Sequence, residues 1–128
     1  MEGKARILAF GFTSAEELRI DEGLAALGVP APLKLHQGHG GLTLRSILEG
    51  AAEAPEAAED RPGAERLVLF HNVSDAGVQS LMRFFRQTCD GRPIFAVVTP
   101  TSIDWTLAFL LEHLLEERAA LDARPQVQ

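Results

Sequence analysis

Three of the four histidines in this chain follow predicted strands, where α/β proteins with parallel sheets bind their ligands. His36 and His39 come after the second predicted strand, and His71 comes after the third. Neutral imidazole nitrogens bind zinc and similar divalent ions, and Asp104 after the fourth strand can add an oxygen ligand. If the strand ends share one edge of the sheet, these residues predict a small polar pocket for a metal ion or an anion.

The candidate ligand site at this edge extends beyond the histidines. Its members are His36, His39, His71, Asn72, Thr99, Asp104 and Trp105, with His36, His39 and His71 as the candidate metal ligands. The competing interpretation is that exposed loops are simply polar, and that nothing fixes the spacing of His36 and His39. For Trp105, the alternatives are a packing anchor at the sheet edge and a contact with a ligand or partner.

Patterns typical of enzymes are weak, and we predict no catalytic residue. The loop from Gln37 to Gly41 precedes a helix, but it lacks the GxGxxG order and the Lys-Ser/Thr of a phosphate-binding loop. Cys89 lies on the apolar side of its helix, which is typical of a buried structural thiol. No cofactor is predicted beyond the divalent metal of the site described above.

The composition argues against two classes of partner. The 128 residues carry 12 basic and 18 acidic side chains, a net charge of −6, which disfavours nucleic acid and anionic membranes. No apolar run reaches the roughly 18 residues of a membrane-spanning helix, and the first residues lack the features of a signal peptide. Because the single cysteine also suits a reducing compartment, we expect a cytoplasmic protein.

The first half of the chain predicts a strand, a helix, a strand and a second helix. The strand ends at Phe10, and Ser14 with Glu17 has the pattern of a capping box that begins the helix. Gly28 ends this helix. Its predicted core-facing residues are Leu18, Leu24 and Leu27.

The second half repeats this order with a clearer pattern. Ser74 is the predicted N-cap of a helix that follows a strand over residues 65–70. The apolar stripe of that helix consists of Val78, Leu81, Met82, Phe85 and Cys89. An apolar strand over 93–98 and a last helix over about 103–120 complete the half.

Several segments recur between the halves, which predicts an internal repeat within one domain, residues 1–128. Phe10 corresponds to Phe70, and the stretch that begins at Thr43 corresponds to the one that begins at Thr106. The repeats are predicted over about 5–50 and 65–120, with a Pro- and Glu-rich linker over 51–64.

These elements predict an α/β fold in which two tandem βαβα repeats form one four-stranded sheet flanked by helices. Pairing should be parallel within each repeat. Across the junction two arrangements remain open: a wholly parallel sheet, which we favour slightly, and a mixed sheet of the ferredoxin-like or pseudo-twofold kind.

The second half resembles a small bacterial and archaeal family of domains of unknown function. The resemblance rests on a strand that ends in Val98-Thr99, followed by Trp105-Thr106-Leu107 at the start of a helix that contains Leu110-Leu111-Glu112. The first half lacks the corresponding tryptophan, because Leu42 stands in its place. The resemblance implies a fold and no activity.

The last helix carries more apolar residues than one sheet can cover. We expect the excess to meet another helix of this chain or a second copy, with Leu107, Leu111, Leu114 and Leu115 at the contact. The first functional hypothesis is therefore a non-enzymatic protein-interaction or regulatory module that self-associates and has a protein partner. The second is a ligand- or metal-binding protein, or a small enzyme, with its site at the strand ends.

Overall fold

A computed structural model of the chain describes residues 5–35, 41–50, 66–89 and 93–123. Its elements are, in order, β1 (Arg6–Phe10), α1 (Ser14–Ala26), β2 (Leu33–Leu35), α2 (Leu44–Leu48), β3 (Leu67–His71), α3 (Asp75–Thr88), β4 (Ile94–Val97), a 3₁₀ turn (Ser102–Asp104) and α4 (Leu107–Ala123). The predicted alternation of strands and helices is confirmed. The predicted linker, residues 51–64, lies outside the described residues.

The four strands form one mixed sheet in the order β2-β1-β3-β4. Strand β1 pairs parallel with β2, and β3 pairs parallel with β4, as predicted for each half. The central pair, β1 with β3, is antiparallel, with Leu8 opposite Leu69. The mixed alternative is therefore correct and the wholly parallel sheet is wrong. The apolar pattern of a buried strand reveals its burial and carries no information about its direction.

The antiparallel junction separates the strand ends that a parallel sheet would have brought together. Phe10, at the end of β1, is opposite Leu67 at the beginning of β3, and Arg6 is opposite His71. Because β2 runs parallel to β1, Leu35 also lies at the far end of the sheet from His71. The carboxyl ends of the first two strands thus face away from those of the last two.

Helices cover both faces of this sheet. Helices α1 and α3 pack on the face that carries Ile7 and Phe70, while α2 and α4 pack on the face that carries Leu8 and Leu69. Side chains along β1 and β3 point alternately to the two faces of the sheet, so each face receives every second residue. This is expected for a sheet buried on both sides. In the described ranges, no helix is long and apolar enough to cross a membrane.

The capping box of α1 lies one residue earlier in the chain than predicted. Thr13 is the N-cap, and Glu16 closes the capping box, in place of Ser14 and Glu17. The prediction for the buried side of α1 was also partly wrong, since Leu24 is buried but Leu18 and Leu27 are exposed. The buried side of α1 instead consists of Glu16, Ile20 and Leu24, and Glu16 pairs with Arg66 there.

The later helix predictions hold more closely. Ser74 caps α3, and Leu81, Phe85 and Cys89 of its apolar stripe are buried. On the opposite face of the sheet, Thr43 before α2 and Thr106 before α4 form an antiparallel bridge. This bridge places the beginnings of α2 and α4 side by side.

Candidate functional site

His71 and Asn72 lie together at the carboxyl end of β3. Asn72 has a left-handed backbone with φ of 57°, which asparagine tolerates better than most residues, and its side-chain amide donates to Nε2 of His71 at 3.3 Å. Partial burial lowers the pKa of His71 below its ordinary value, and the positive charge of Arg6 lowers it further. A ring nitrogen that accepts a hydrogen bond carries no proton, so this geometry belongs to the neutral imidazole.

Thr99 is engaged with Ser102 in the loop after β4. The backbone N–H of Thr99 donates to Oγ of Ser102 at 2.9 Å, and the backbone N–H of Ser102 donates to Oγ1 of Thr99 at 2.9 Å. The two hydroxyl groups are also 3.0 Å apart. This reciprocal arrangement shapes the turn that leads to the 3₁₀ turn, which gives both hydroxyl groups a structural role.

Asp104 forms an ion pair with Arg45, a residue that the sequence did not single out. Nε of Arg45 donates to Oδ1 of Asp104 at 2.8 Å, across the bridge between Thr43 and Thr106. This hydrogen bond, together with the charge of Arg45, lowers the pKa of the Asp104 carboxyl below its ordinary value. Both side chains are exposed, so the pair orients the ends of α2 and the 3₁₀ turn rather than forming a buried site.

Trp105 is part of an aromatic cluster on the solvent side of α4. Its ring centroid is 4.9 Å from that of Phe109 and 5.3 Å from that of His113, both with edge-to-face geometry. Phe109 and His113 stack with their centroids 6.5 Å apart. Phe109 is 52% exposed, which is unusual for a phenylalanine, and the side chain of His113 is also exposed. We call Trp105, Phe109 and His113 the aromatic cluster.

A shallow groove of about 410 Å³ runs along α4 beside this cluster. Its lining residues recur at helical spacing and are Ala108, Leu111, Glu112, Leu115, Glu116 and Ala119. The leucine and alanine side chains supply the apolar floor, so α4 presents an apolar surface to solvent as well as one to the sheet.

The predicted site residues therefore fall into separate groups. His71 and Asn72 lie at the end of β3, next to the β4 end that precedes Thr99, because the N–H of Val98 donates to the carbonyl of Phe70 at 2.9 Å. Asp104 and Trp105 belong to the α2–α4 side of the sheet, and His36 and His39 lie outside the described residues. Within the ranges that the structure describes, no group of three or more His, Cys, Asp or Glu residues is arranged to hold a metal ion.

Comparison with known families finds a match in the second half of the chain. Residues 66–121 match the family model of a domain of unknown function, DUF3783. No curated protein and no solved structure matches the chain. The resemblance predicted for the second half, to a family of unknown function, is thus confirmed.

The segment that matches this family model contains β3, α3, β4 and α4 up to residue 121. The aromatic cluster lies wholly within it. Phe109 and His113 are site residues that the sequence analysis missed, although they follow Trp105 at intervals of four residues, and that spacing places Phe109 and His113 on one side of α4. Arg45 had no comparable signal, because its partner Asp104 lies in the other half of the chain.

Proposed function

We propose that the protein is a non-enzymatic protein-interaction or regulatory module of the cytoplasm that self-associates through α4. The observation that carries the proposal is the exposed aromatic cluster together with the apolar-floored groove beside it along α4. Single exposed apolar residues are ordinary, whereas a contiguous patch is typical of a binding surface. The cytoplasmic assignment rests on the single cysteine of the chain.

A second copy of the chain fits this surface because two residues of the groove, Leu111 and Ala119, lie equally far from Leu115 on either side. In an antiparallel pair of α4 helices centred there, Leu115 meets its own counterpart and Leu111 meets Ala119 of the other copy. Glu112 and Arg118 lie equally far from Leu115 on either side, so each Glu112 would meet an Arg118 of the opposite copy. A twofold contact requires this kind of self-complementarity.

Of the four leucines predicted at the contact, three remain available for it. Leu107 is only 1% exposed and packs in the intrachain core, so it does not contribute to the surface. Leu111, Leu114 and Leu115 are half-buried. Phe109 adds exposed apolar area to the surface, whereas Leu107 adds none. A stable contact needs about 800 Å² from each partner, so the aromatic cluster must be covered together with the groove.

The experiment is sedimentation velocity over a range of micromolar concentrations, for the natural chain and for Leu115→Lys. Placing two lysines at the twofold axis should convert the dimer to a monomer, whereas Ala25→Lys on the exposed side of α1 should leave the mass unchanged. Glu112→Lys and Arg118→Glu should each weaken the dimer, and combining them should restore it. A natural chain that is monomeric at tens of micromolar rejects the proposal.

We further propose that the two halves are copies of one βαβα unit. In both, a left-handed residue (Gly11 or Asn72) is followed two positions later by the N-cap of the next helix. The bridge between Thr43 and Thr106 is flanked by two reciprocal hydrogen bonds: Leu44 N–H to Trp105 O at 3.0 Å, and Leu107 N–H to Leu42 O at 2.9 Å.

Producing residues 65–128 alone tests the duplication. Two such halves should associate through β3, in the manner of the β1–β3 pair, and give a folded homodimer by circular dichroism and sedimentation. A half that folds as a monomer contradicts the idea that the central pairing joins two equivalent units.

A further inference from the structure

The two outer strands of the sheet differ in how well their open edges are protected. Strand β2 has three residues, and its central Lys34 forms an ion pair with Asp21 of α1 at 2.9 Å. Short length and a lysine are common devices that prevent an edge from pairing with another chain. Strand β4 has four residues but no charged one, since Ile94–Val97 reads Ile-Phe-Ala-Val, and Val97 is 50% exposed.

The hydrogen bonds of β4 leave half of its backbone groups pointing outwards. The N–H of Ile94 donates to the carbonyl of Arg66 at 2.7 Å, and the N–H of Val98 donates to that of Phe70 at 2.9 Å. Residues alternate in direction along a strand, so Phe95 and Val97 direct their N–H and C=O groups away from β3. Within the described part of the chain, no strand pairs with β4 on that side.

The side chain of Arg86 on α3 lies beside this open edge. The ring of Phe84 lies against Gly23 of α1, so that side of α3 faces the centre of the molecule. Arg86 comes two positions later and therefore lies on nearly the opposite side of the helix. Its guanidinium carbon sits 5.4 Å from the ring centre of Phe95, and the exposed Arg83 lies one turn earlier.

We propose that the open edge of β4 binds an extended, acid-bearing segment of a partner protein as a fifth strand. Main-chain hydrogen bonds to Phe95 and Val97 would supply the affinity, as in other cases of strand addition. A carboxylate of the segment opposite Phe95 reaches the guanidinium of Arg86, and an apolar side chain opposite Val97 covers its exposed half. The same arginine disfavours a second copy at this edge, because antiparallel pairing of two β4 strands would bring two Arg86 side chains towards each other.

This site is separate from the α4 surface, so the two proposals can fail independently. The first measurement is amide hydrogen exchange by NMR on the full chain, at a concentration where sedimentation gives a constant mass. The amides of Phe95 and Val97 should exchange rapidly, while those of Ile94 and Ala96 should be protected by β3. Protection of Phe95 and Val97 overturns the proposal, since the edge is then already covered by the chain itself or by a second copy.

The second measurement uses two synthetic peptides with valine-rich centres and soluble Gly-Ser flanks, one with a central glutamate and one with a central lysine. The glutamate peptide should shift the Phe95 and Val97 amide signals and bind about fivefold more tightly than the lysine peptide, the ratio expected for one exposed ion pair. Arg86→Glu should reverse this preference, and Arg86→Gln should abolish it. Arg19→Glu, an equal change of charge on exposed α1, should leave the preference unchanged.

Thermal melts of each variant establish that it is folded before binding is compared. If neither peptide perturbs β4, or if the preference for glutamate survives Arg86→Glu in a folded protein, the edge does not select an acidic strand and the proposal is wrong.

Discussion

The ring of Phe84 lies so close to the backbone of Gly23 that a Cβ at position 23 would be 2.5 Å from the nearest ring carbon. This contact sets how closely α1 and α3 approach on their shared face of the sheet. Phe84 also packs edge-to-face on Phe85, with ring centroids 5.4 Å apart. The glycine inside α1 is therefore explained by packing between helices, despite its poor helix propensity.

We expect Gly23→Ala to destabilise the protein. On an exposed helix the same change would stabilise by about 0.5–1 kcal/mol, but overpacking against the ring costs about 1–3 kcal/mol. The melting temperature should fall by several degrees. Adding Gly23→Ala to a Phe84→Leu protein should cost less stability than adding it to the natural chain, because the smaller side chain leaves room for the methyl group. A Gly23→Ala protein that is more stable than the natural chain would contradict the close contact.

The buried ion pair of Glu16 and Arg66 is the second feature with a measurable consequence. Glu16 is 3% exposed, and its Oε1 accepts from Nε of Arg66 at 2.8 Å and from the N–H of Thr13 at 3.0 Å. It thus joins the beginning of α1 to the residue before β3. Removing either charge breaks an ion pair between two largely buried side chains.

Glu16→Gln and Arg66→Met should each lower the free energy of unfolding by about 3 kcal/mol, as expected for breaking a buried pair. Because both remove the same interaction, the double variant should lose clearly less than the sum of the two. Urea denaturation measures all three. The exposed pair of Lys34 and Asp21 is the control, for which Lys34→Met should cost at most about 1 kcal/mol; equal losses at the two pairs would show that burial is not decisive.

The residues that explain the fold differ in how visible they are in the sequence. The α3 stripe, the Ser74 cap and the glycine after α1 follow from local periodicity and capping rules, and all three were predicted. The predicted capping box was one residue too late, because Glu16 and Glu17 are both acidic and the pattern fits either one. Only the distant Arg66 makes Glu16 the one that turns inwards.

The candidate site was less predictable because its geometry depends on strand direction. Pairing of Arg6 with His71 separates the two groups of strand ends, and no local pattern encodes that pairing. The ion pair of Arg45 and Asp104 is equally non-local. By contrast, Phe109 and His113 follow Trp105 at helical spacing, so the aromatic cluster could have been derived from the sequence alone.

Cys89 is expected to be protected from thiol reagents in the native protein. It ends the apolar stripe of α3 and is buried in the core on that face of the sheet. Labelling by an aromatic disulfide should therefore be slow and should accelerate in urea in parallel with unfolding. Rapid labelling in native buffer, at the rate of an exposed thiol in a control peptide, would mean that α3 frays at its end.

His71 should make the stability of the protein depend on pH. Its pKa is lowered in the folded protein by partial burial and by Arg6, so near neutral pH the unfolded chain binds more protons at this position. The free energy of unfolding should therefore be highest above the ordinary histidine pKa of about 6.5 and decline as the pH falls below it. The decline due to His71 should stop once the pH is below the pKa of the folded state.

Urea denaturation between about pH 8 and pH 5 should show a smaller decline in stability for His71→Gln than for the natural chain. NMR titration of Arg6→Gln should show a higher pKa for His71. An identical pH dependence with and without the imidazole would mean that its protonation is not coupled to folding.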